Sequence, residues 1–166
     1  MIRPEPKVLE LDQYFTTEDD AELMVRQAGL RFGQTFLDPC CGDGVILDAG
    51  LVAGAQPHGI EIDQRWADWV EETKQHMVVC EDFLKVKPPP SRERKFDHVI
   101  TNPAFSLNKK DIGLDGRILQ HSMRFAHRIT AMIRVNGLFG AGPIRARVGP
   151  RDHREAHAFP LPQDLP

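Results

Sequence analysis

The stretch FLDPCCGDG, residues 36–44, joins an apolar, strand-like run to a turn with two glycines, and the helical pattern GVILDAGLVAG continues from it. Glycine at such a turn lets a ligand approach the backbone, and the start of the next helix offers free amide groups. The stretch therefore predicts a strand, a turn and a helix around a site for a nucleotide-like ligand. Two glycines at this spacing are equally typical of an ordinary strand-to-helix turn.

Apolar runs and helical patterns alternate on both sides of this turn. The predicted strands cover residues 34–40, 57–63, 76–83, 96–103 and 129–136. The predicted helices are one that begins after Thr17 and others over 44–54, 64–74 and 116–128. This alternation is typical of a mostly parallel sheet with helices on both faces, so we expect an α/β, Rossmann-like, doubly wound fold.

The acidic and basic residues are unevenly distributed along the 166-residue chain. Residues 1–83 hold 6 Lys or Arg and 17 Asp or Glu, whereas residues 84–166 hold 15 and 7. A polyanion would prefer the second half, including Lys109 and Lys110, but a solvated surface explains the same residues equally well. No apolar run has the length of a membrane span and no secretory signal is evident, which predicts a cytoplasmic protein.

The cysteines and histidines indicate neither disulfides nor a metal site. Cys40, Cys41 and Cys80 are odd in number and two are adjacent, which does not fit a disulfide framework or a metal knuckle. We expect Cys40 and Cys41 to pack beside the glycine turn. The seven histidines show no spacing typical of metal ligands, so we expect no bound metal.

Acidic side chains recur at the predicted carboxyl ends of the strands, and Asp38 near the end of the first strand is one of them. In GIEID, residues 59–63, Glu61 can accept hydrogen bonds from two ribose hydroxyls, and we expect Asp63 to cap the following helix. In CEDF, Asp82 can accept from an exocyclic amine and Phe83 can lie on a purine. Because the carboxyl ends of parallel strands meet at one edge, these groups predict a shared pocket.

Four motifs in this order, DPCCGDG, GIEID, CEDF and TNPAF, resemble the class I S-adenosylmethionine-dependent methyltransferases, in particular those that methylate adenine N6 in DNA. The resemblance covers roughly residues 12–136 and implies S-adenosylmethionine as cofactor and DNA as partner. By this resemblance the cofactor-binding residues are Tyr14, Thr16, Asp38, Pro39, Cys40, Gly42, Gly44, Glu61, Ile62, Asp82 and Phe83.

The stretch FDHVITNPAF, residues 96–105, ends in the motif that would carry catalysis. In the resembled family, an Asn or Asp and the next Pro carbonyl accept hydrogen bonds from the target amine, and an aromatic stacks on the extruded base. The resemblance assigns these roles to Asn102, Pro103 and Phe105. Ala104 stands where the family has a second proline, so we expect a less rigid loop and lower or absent activity. Without the upstream motifs, TNPAF would predict only a turn that ends a strand.

Other functions remain open at this point. The same chemistry on an RNA base or a protein glutamine uses a similar motif, and a catalytically silent cofactor-binding module fits Ala104. A nicotinamide dehydrogenase is disfavoured, because the turn lacks the third glycine spacing.

The domain boundaries are a further prediction. The methyltransferase domain is predicted over 1–136, followed by a Pro/Gly/Arg-rich tail over 137–166 that is expected to pack poorly or be disordered. The family's last two strands are not evident, which fits a minimal enzyme, a shortened product or a subunit completed by a partner. An unpaired fifth strand would favour self-association.

Overall fold

A single parallel sheet forms the centre of the fold. The computed structural model describes residues 1–6, 14–90, 96–104, 113–133 and 156–160, the last of these as backbone only. The described strands are β1 Thr35–Asp38, β2 Gln56–Glu61, β3 Val78–Cys80, β4 Phe96–Thr101, β5 Ala126–Ile133 and β6 Ala156–Pro160. Their order is β3-β2-β1-β4-β5-β6, and every neighbouring pair is parallel. The predicted Rossmann-like α/β fold is therefore confirmed.

Helices cover both faces of this sheet. They are α1 Glu18–Ala28, α2 Val45–Val52, α3 Gln64–Lys74 and α4 Leu114–Ser122, with a short 3₁₀ turn at Phe83–Lys85. On one face, α1, α2 and α3 bury apolar side chains against Phe36 of β1 and Ile100 of β4. On the other face, α4 buries Ile118 against Leu37 and Val99. No helix within the described residues is long and apolar enough to cross a bilayer.

Two helices begin at the caps that the sequence predicts. The Thr17 hydroxyl accepts a hydrogen bond from the Asp20 N–H at 3.2 Å and begins α1, whose first turn is acidic. The Asp63 carboxylate accepts from the Arg65 N–H at 3.1 Å and begins α3. Each cap satisfies an amide group that the helix itself leaves unpaired. Asp63 therefore has the capping role that we expected.

The fifth strand begins earlier than predicted. The sequence predicted a helix to residue 128, but α4 ends at Ser122 and β5 begins at Ala126. The helical spacing from Ile118 therefore continues by coincidence through the turn at Phe125 and into β5. The prediction was wrong here because this turn contains neither glycine nor proline, so nothing in the local sequence interrupts the pattern.

The predicted tail contributes a strand that sequence reasoning missed. Strand β6 pairs in parallel with β5, from Ile129 opposite Ala156 to Ile133 opposite Pro160. The prediction that the fifth strand is an unpaired edge was therefore wrong, and it no longer supports self-association. A strand edge needs hydrogen-bond partners for its backbone, which even a short segment with little apolar periodicity can supply. The other residues of 137–166 lie outside the described part of the chain.

Candidate functional site

A cavity of about 380 Å³ lies at the carboxyl edge of the sheet. Its walls come from residues 14–16, the glycine turn, the ends of β1 to β4 and the first turns of α4. The predicted site residues that line it are Tyr14, Thr16, Asp38, Pro39, Cys40, Gly42, Glu61, Ile62, Asp82, Phe83 and Asn102. The strand ends thus converge around one cavity, and the roles of the individual side chains remain predictions.

Some predicted site residues do not line the cavity. Pro103 is fully buried, and Gly44 begins α2 with φ +76°. A Cβ on Gly44 would lie 3.0 Å from a methyl group of Val70 on α3, so helix packing explains this glycine. Phe105, Lys109 and Lys110 fall outside the described residues.

Sequence reasoning also missed several lining residues. They are Phe15, Asp43, Val45, Ile46, Glu81, Leu84, Leu114, Arg117 and Ile118. Leu114 and Ile118 are four positions apart, a spacing that marks one helix face and could have predicted that α4 lines the cavity. The packing of Phe15 on the glycine turn carries no such signal, because 27 positions separate Phe15 from Gly42.

The glycine turn is held between Phe15 and strand β2. Gly42 has φ +52°, and a Cβ there would lie 2.8 Å from the Phe15 ring. Both the left-handed backbone and this close contact require glycine. The Gly42 N–H donates to Glu61 Oε2 at 2.8 Å, and the Cys41 N–H donates to the Ile60 carbonyl at 3.0 Å. These contacts within the protein fix the backbone of the turn.

Glu61 is a buried carboxylate at the end of β2. Its Oε2 accepts from the Gly42 N–H, and its Oε1 accepts from the Asp63 N–H at 2.9 Å. Burial raises the pKa of Glu61, and these two N–H groups oppose that rise. Each carboxylate oxygen can accept a second hydrogen bond, so Glu61 retains acceptor capacity for the hydroxyl groups of a ligand.

Asp38, at the end of β1, is 1% exposed and only partly satisfied. Its Oδ1 accepts from the Cys40 N–H at 3.1 Å, while its buried Oδ2 has no partner among the described residues. Burial raises the pKa of Asp38 to about 7. The Cys40 N–H and the nearby Thr101 hydroxyl oppose this rise, and the charges of Glu61 and Asp43 add to it. A buried acceptor of this kind favours a cationic ligand group.

Asn102, immediately after β4, has a buried carboxamide oxygen without a hydrogen-bond partner among the described residues. Its Nδ2 donates to the Thr16 hydroxyl at 3.1 Å. Its Oδ1 is buried and accepts no hydrogen bond from the part of the chain that the structure describes. A buried acceptor without a partner costs stability, which makes Oδ1 a candidate binding point for a donor on a ligand.

At the end of β3, the predicted purine contacts Asp82 and Phe83 line the cavity and also have partners within the protein. Asp82 Oδ1 accepts from the Leu84 N–H at 3.0 Å, and its Oδ2 lies 3.3 Å from the exposed Lys85 Nζ. The Phe83 ring is 4% exposed and packs on Phe125, with centroids 5.0 Å apart. Ile62 is 54% exposed and therefore offers more apolar surface to a planar ligand.

The two cavity-side cysteines are protonated thiols. Burial raises the pKa of Cys40 and of Cys41, and the nearby charge of Asp38 adds to both. A hydrogen bond from the Ala104 N–H, a group that proline lacks, partly favours the Cys40 thiolate. Protonated thiols are poor nucleophiles, so the cavity does not suit covalent catalysis through cysteine.

The charges around the cavity are mostly negative. The acidic lining residues are Asp38, Asp43, Glu61, Glu81 and Asp82, and Arg117 on α4 is the only arginine or lysine among the described lining residues. Outside the cavity, Arg3 Nη2 pairs with Asp43 Oδ2 at 2.6 Å. Within the described residues, no cluster of three or more His, Cys, Asp or Glu side chains could hold a metal ion.

Comparisons with known proteins point to methyltransferases. No protein-family model matches the chain. A tRNA (guanine(10)-N2)-dimethyltransferase of Methanothermobacter thermautotrophicus is 31% identical over 97 residues, which cover 56% of this chain and 28% of the relative. The enzyme of the same name from Methanocaldococcus jannaschii is 27% identical over 130 residues, covering 72% and 35%. The chain thus spans about a third of the length of these relatives.

A solved structure shares the fold. It is that of a Pyrococcus horikoshii protein described as a candidate RNA methyltransferase, with a TM-score of 0.61 and 24% identity over 74% of this chain and 63% of that one. Relatives and structure together indicate the fold of class I S-adenosylmethionine-dependent methyltransferases. They do not point specifically to the DNA adenine-N6 type that the motifs resemble.

Proposed function

We propose that this chain transfers a methyl group from S-adenosylmethionine to an exocyclic amino group of an RNA base, with guanine N2 as the favoured acceptor. The observation that carries this proposal is the convergence of Asp38, Glu61 and the unpaired Asn102 oxygen around one cavity. The names of the two curated relatives favour guanine in RNA over adenine in DNA. No comparable observation favours a protein glutamine.

The polar groups of the cavity fit this cofactor. Asp38 Oδ2, buried and without a partner, would accept a hydrogen bond from the methionine ammonium. Glu61 would accept from the ribose hydroxyls, and Asp82 would accept from the adenine amine. Ile62 would pack on the adenine ring. When bound, S-adenosylmethionine supplies an electrophilic methyl group on a positively charged sulfur.

Asn102 would act on the acceptor amine. The nitrogen lone pair of such an amine is delocalised into the base, which makes it a weak nucleophile. By accepting an N–H hydrogen bond, Asn102 Oδ1 would turn the nitrogen toward the methyl group and stabilise the positive charge that develops there. The nitrogen then releases one proton to solvent water. Pro103 does not line the cavity, so this stabilisation would come mainly from Asn102.

Transfer of labelled methyl groups tests this function directly. Wild-type protein is incubated with S-adenosylmethionine that carries a labelled methyl group, in separate reactions with tRNA, DNA or a protein fraction as the acceptor. The labelled nucleoside is then identified in the product. We expect label in guanine of tRNA. Asn102→Ala should lower the rate about 10²- to 10³-fold, the range seen when one transition-state hydrogen bond is removed.

Calorimetry with S-adenosylmethionine separates the alternatives. The Asn102→Ala variant should bind the cofactor as the wild type does, because the proposed role of Asn102 is on the acceptor side. If the label appears in adenine of DNA, the acceptor is DNA and the proposed RNA substrate is wrong. Cofactor binding with no transfer to any acceptor would instead support a catalytically silent binding module.

A further inference from the structure

We propose that Thr16 is a positioning residue whose hydroxyl fixes the Asn102 carboxamide for contact with the acceptor amine. This inference rests on the proposed function of Asn102. The Thr16 hydroxyl accepts a hydrogen bond from Asn102 Nδ2 at 3.1 Å, and both residues line the cavity. The contact joins positions 86 residues apart in the sequence.

The orientation of this carboxamide decides whether it helps or hinders the reaction. Its oxygen and its NH₂ group have almost the same shape, and a half-turn of the amide exchanges them. With NH₂ toward the acceptor amine, two donors would face each other and the developing positive charge would be repelled. In this structure the Thr16 hydroxyl accepts from Nδ2, and Oδ1 has no partner among the described residues. A hydroxyl can also donate, so Thr16 fixes the position and plane of the carboxamide, and the N–H of the acceptor amine selects the orientation that turns Oδ1 toward it.

Thr16 is itself held in place by both of its neighbours. The Phe15 ring packs on Gly42 of the glycine turn and lies 4.5 Å from the Trp66 ring, measured between centroids. On the other side, Thr17 caps α1 and also donates to Asp20 Oδ2 at 2.8 Å. These anchors fix the Thr16 backbone, so the hydroxyl position is set before the acceptor binds. Such preorganisation is a large part of catalysis by orientation.

Two substitutions at this position separate the hydroxyl from the rest of the side chain. Thr16→Val keeps the shape and removes the hydroxyl, whereas Thr16→Ser keeps the hydroxyl. We expect Thr16→Val to lower kcat about 10- to 100-fold, with the KM for RNA and the affinity for S-adenosylmethionine changed less than about threefold. Thr16→Ser should remain within about threefold of the wild type. Thr73→Val, on the exposed face of α3, is the matched control.

A second measurement does not depend on turnover. The side-chain NH₂ resonances of Asn102, assigned by their loss in Asn102→Ala, should shift in Thr16→Val and stay in place in Thr16→Ser. In the double variant of Thr16→Val with Asn102→Ala, the rate should be no lower than in Asn102→Ala alone, because both changes remove one interaction.

Each outcome has a defined meaning. Unchanged turnover in Thr16→Val overturns the inference, as does slower turnover with unmoved Asn102 resonances. A loss of cofactor affinity that matches the loss of kcat also overturns it, and makes Thr16 a cofactor-binding residue. If wild-type protein methylates no acceptor but the resonances shift as expected, the proposed function fails and the orienting contact stands.

Discussion

Replacing Asp38 by asparagine should make the protein more stable at neutral and alkaline pH while weakening cofactor binding. Asp38 is buried, and its Oδ2 has no partner among the described residues. Its folded-state pKa of about 7 lies well above the ordinary value of 3.8. Ionising this carboxyl therefore costs the folded state at most about 4 kcal/mol relative to the unfolded state.

The sign of the pH dependence follows from proton binding. Between the two pKa values, the folded state keeps the proton of Asp38 and the unfolded state has lost it, so stability falls as pH rises. The penalty is absent below pH 3.8 and complete above about pH 7. Between pH 5 and pH 8, wild-type protein should lose about 2 to 3 kcal/mol of unfolding free energy relative to Asp38→Asn.

Urea unfolding at several pH values from 5 to 8 measures this difference. Burial also raises the pKa of Glu61, which titrates in both proteins, so subtracting the two curves leaves the contribution of Asp38 together with its charge coupling to Glu61. Asp19→Asn, at an exposed position of α1, should give a curve parallel to the wild type. Parallel curves for wild type and Asp38→Asn would refute the reasoning. Calorimetry should show weaker binding of S-adenosylmethionine by Asp38→Asn.

Two further predictions concern the glycine turn and α4. Gly29→Ala should lower the free energy of unfolding by about 1 kcal/mol, because alanine is strained in this left-handed conformation. Gly42→Ala should lower it by about 1–2 kcal/mol more, because Phe15 must also move. Chemical denaturation measures both values. Equal costs would contradict the packing of Phe15 on Gly42. Arg117→Ala should raise the KM for RNA about tenfold and weaken its salt dependence, with cofactor affinity unchanged. Arg124→Ala is the control at an exposed position that does not line the cavity, and an unaltered KM in Arg117→Ala would exclude an RNA contact.

Sequence patterns predicted most of the cavity because parallel strands place their carboxyl ends together. Asp38, Glu61 and Asn102 each follow an apolar run, so alternation alone was enough to bring them to one edge. Their hydrogen bonds could not be predicted in this way. The contact of Thr16 with Asn102 depends on how the segment before α1 crosses the glycine turn, which no local pattern encodes.

The two errors in the fold have different origins. Strand β6 forms because β5 offers backbone groups to pair, and this requirement lies outside the residues of β6 themselves. The early start of β5 was missed because the turn after Ser122 resembles a continued helix. Wherever a partner distant in sequence decided the conformation, reading along the chain was not sufficient.

Because β2, β1 and β4 are neighbours in the sheet, the spacing of the strands sets the distances between the side chains at their carboxyl ends. Adjacent strands lie about 4.8 Å apart, so Glu61 and Asn102, two strands from each other, are separated by about 10 Å along the edge. Backbone hydrogen bonds set this span, and altered loops leave it unchanged. Under the proposed function, divergence in the loops would exchange one acceptor for another while the distance between the ribose contact at Glu61 and the amine contact at Asn102 stays constant.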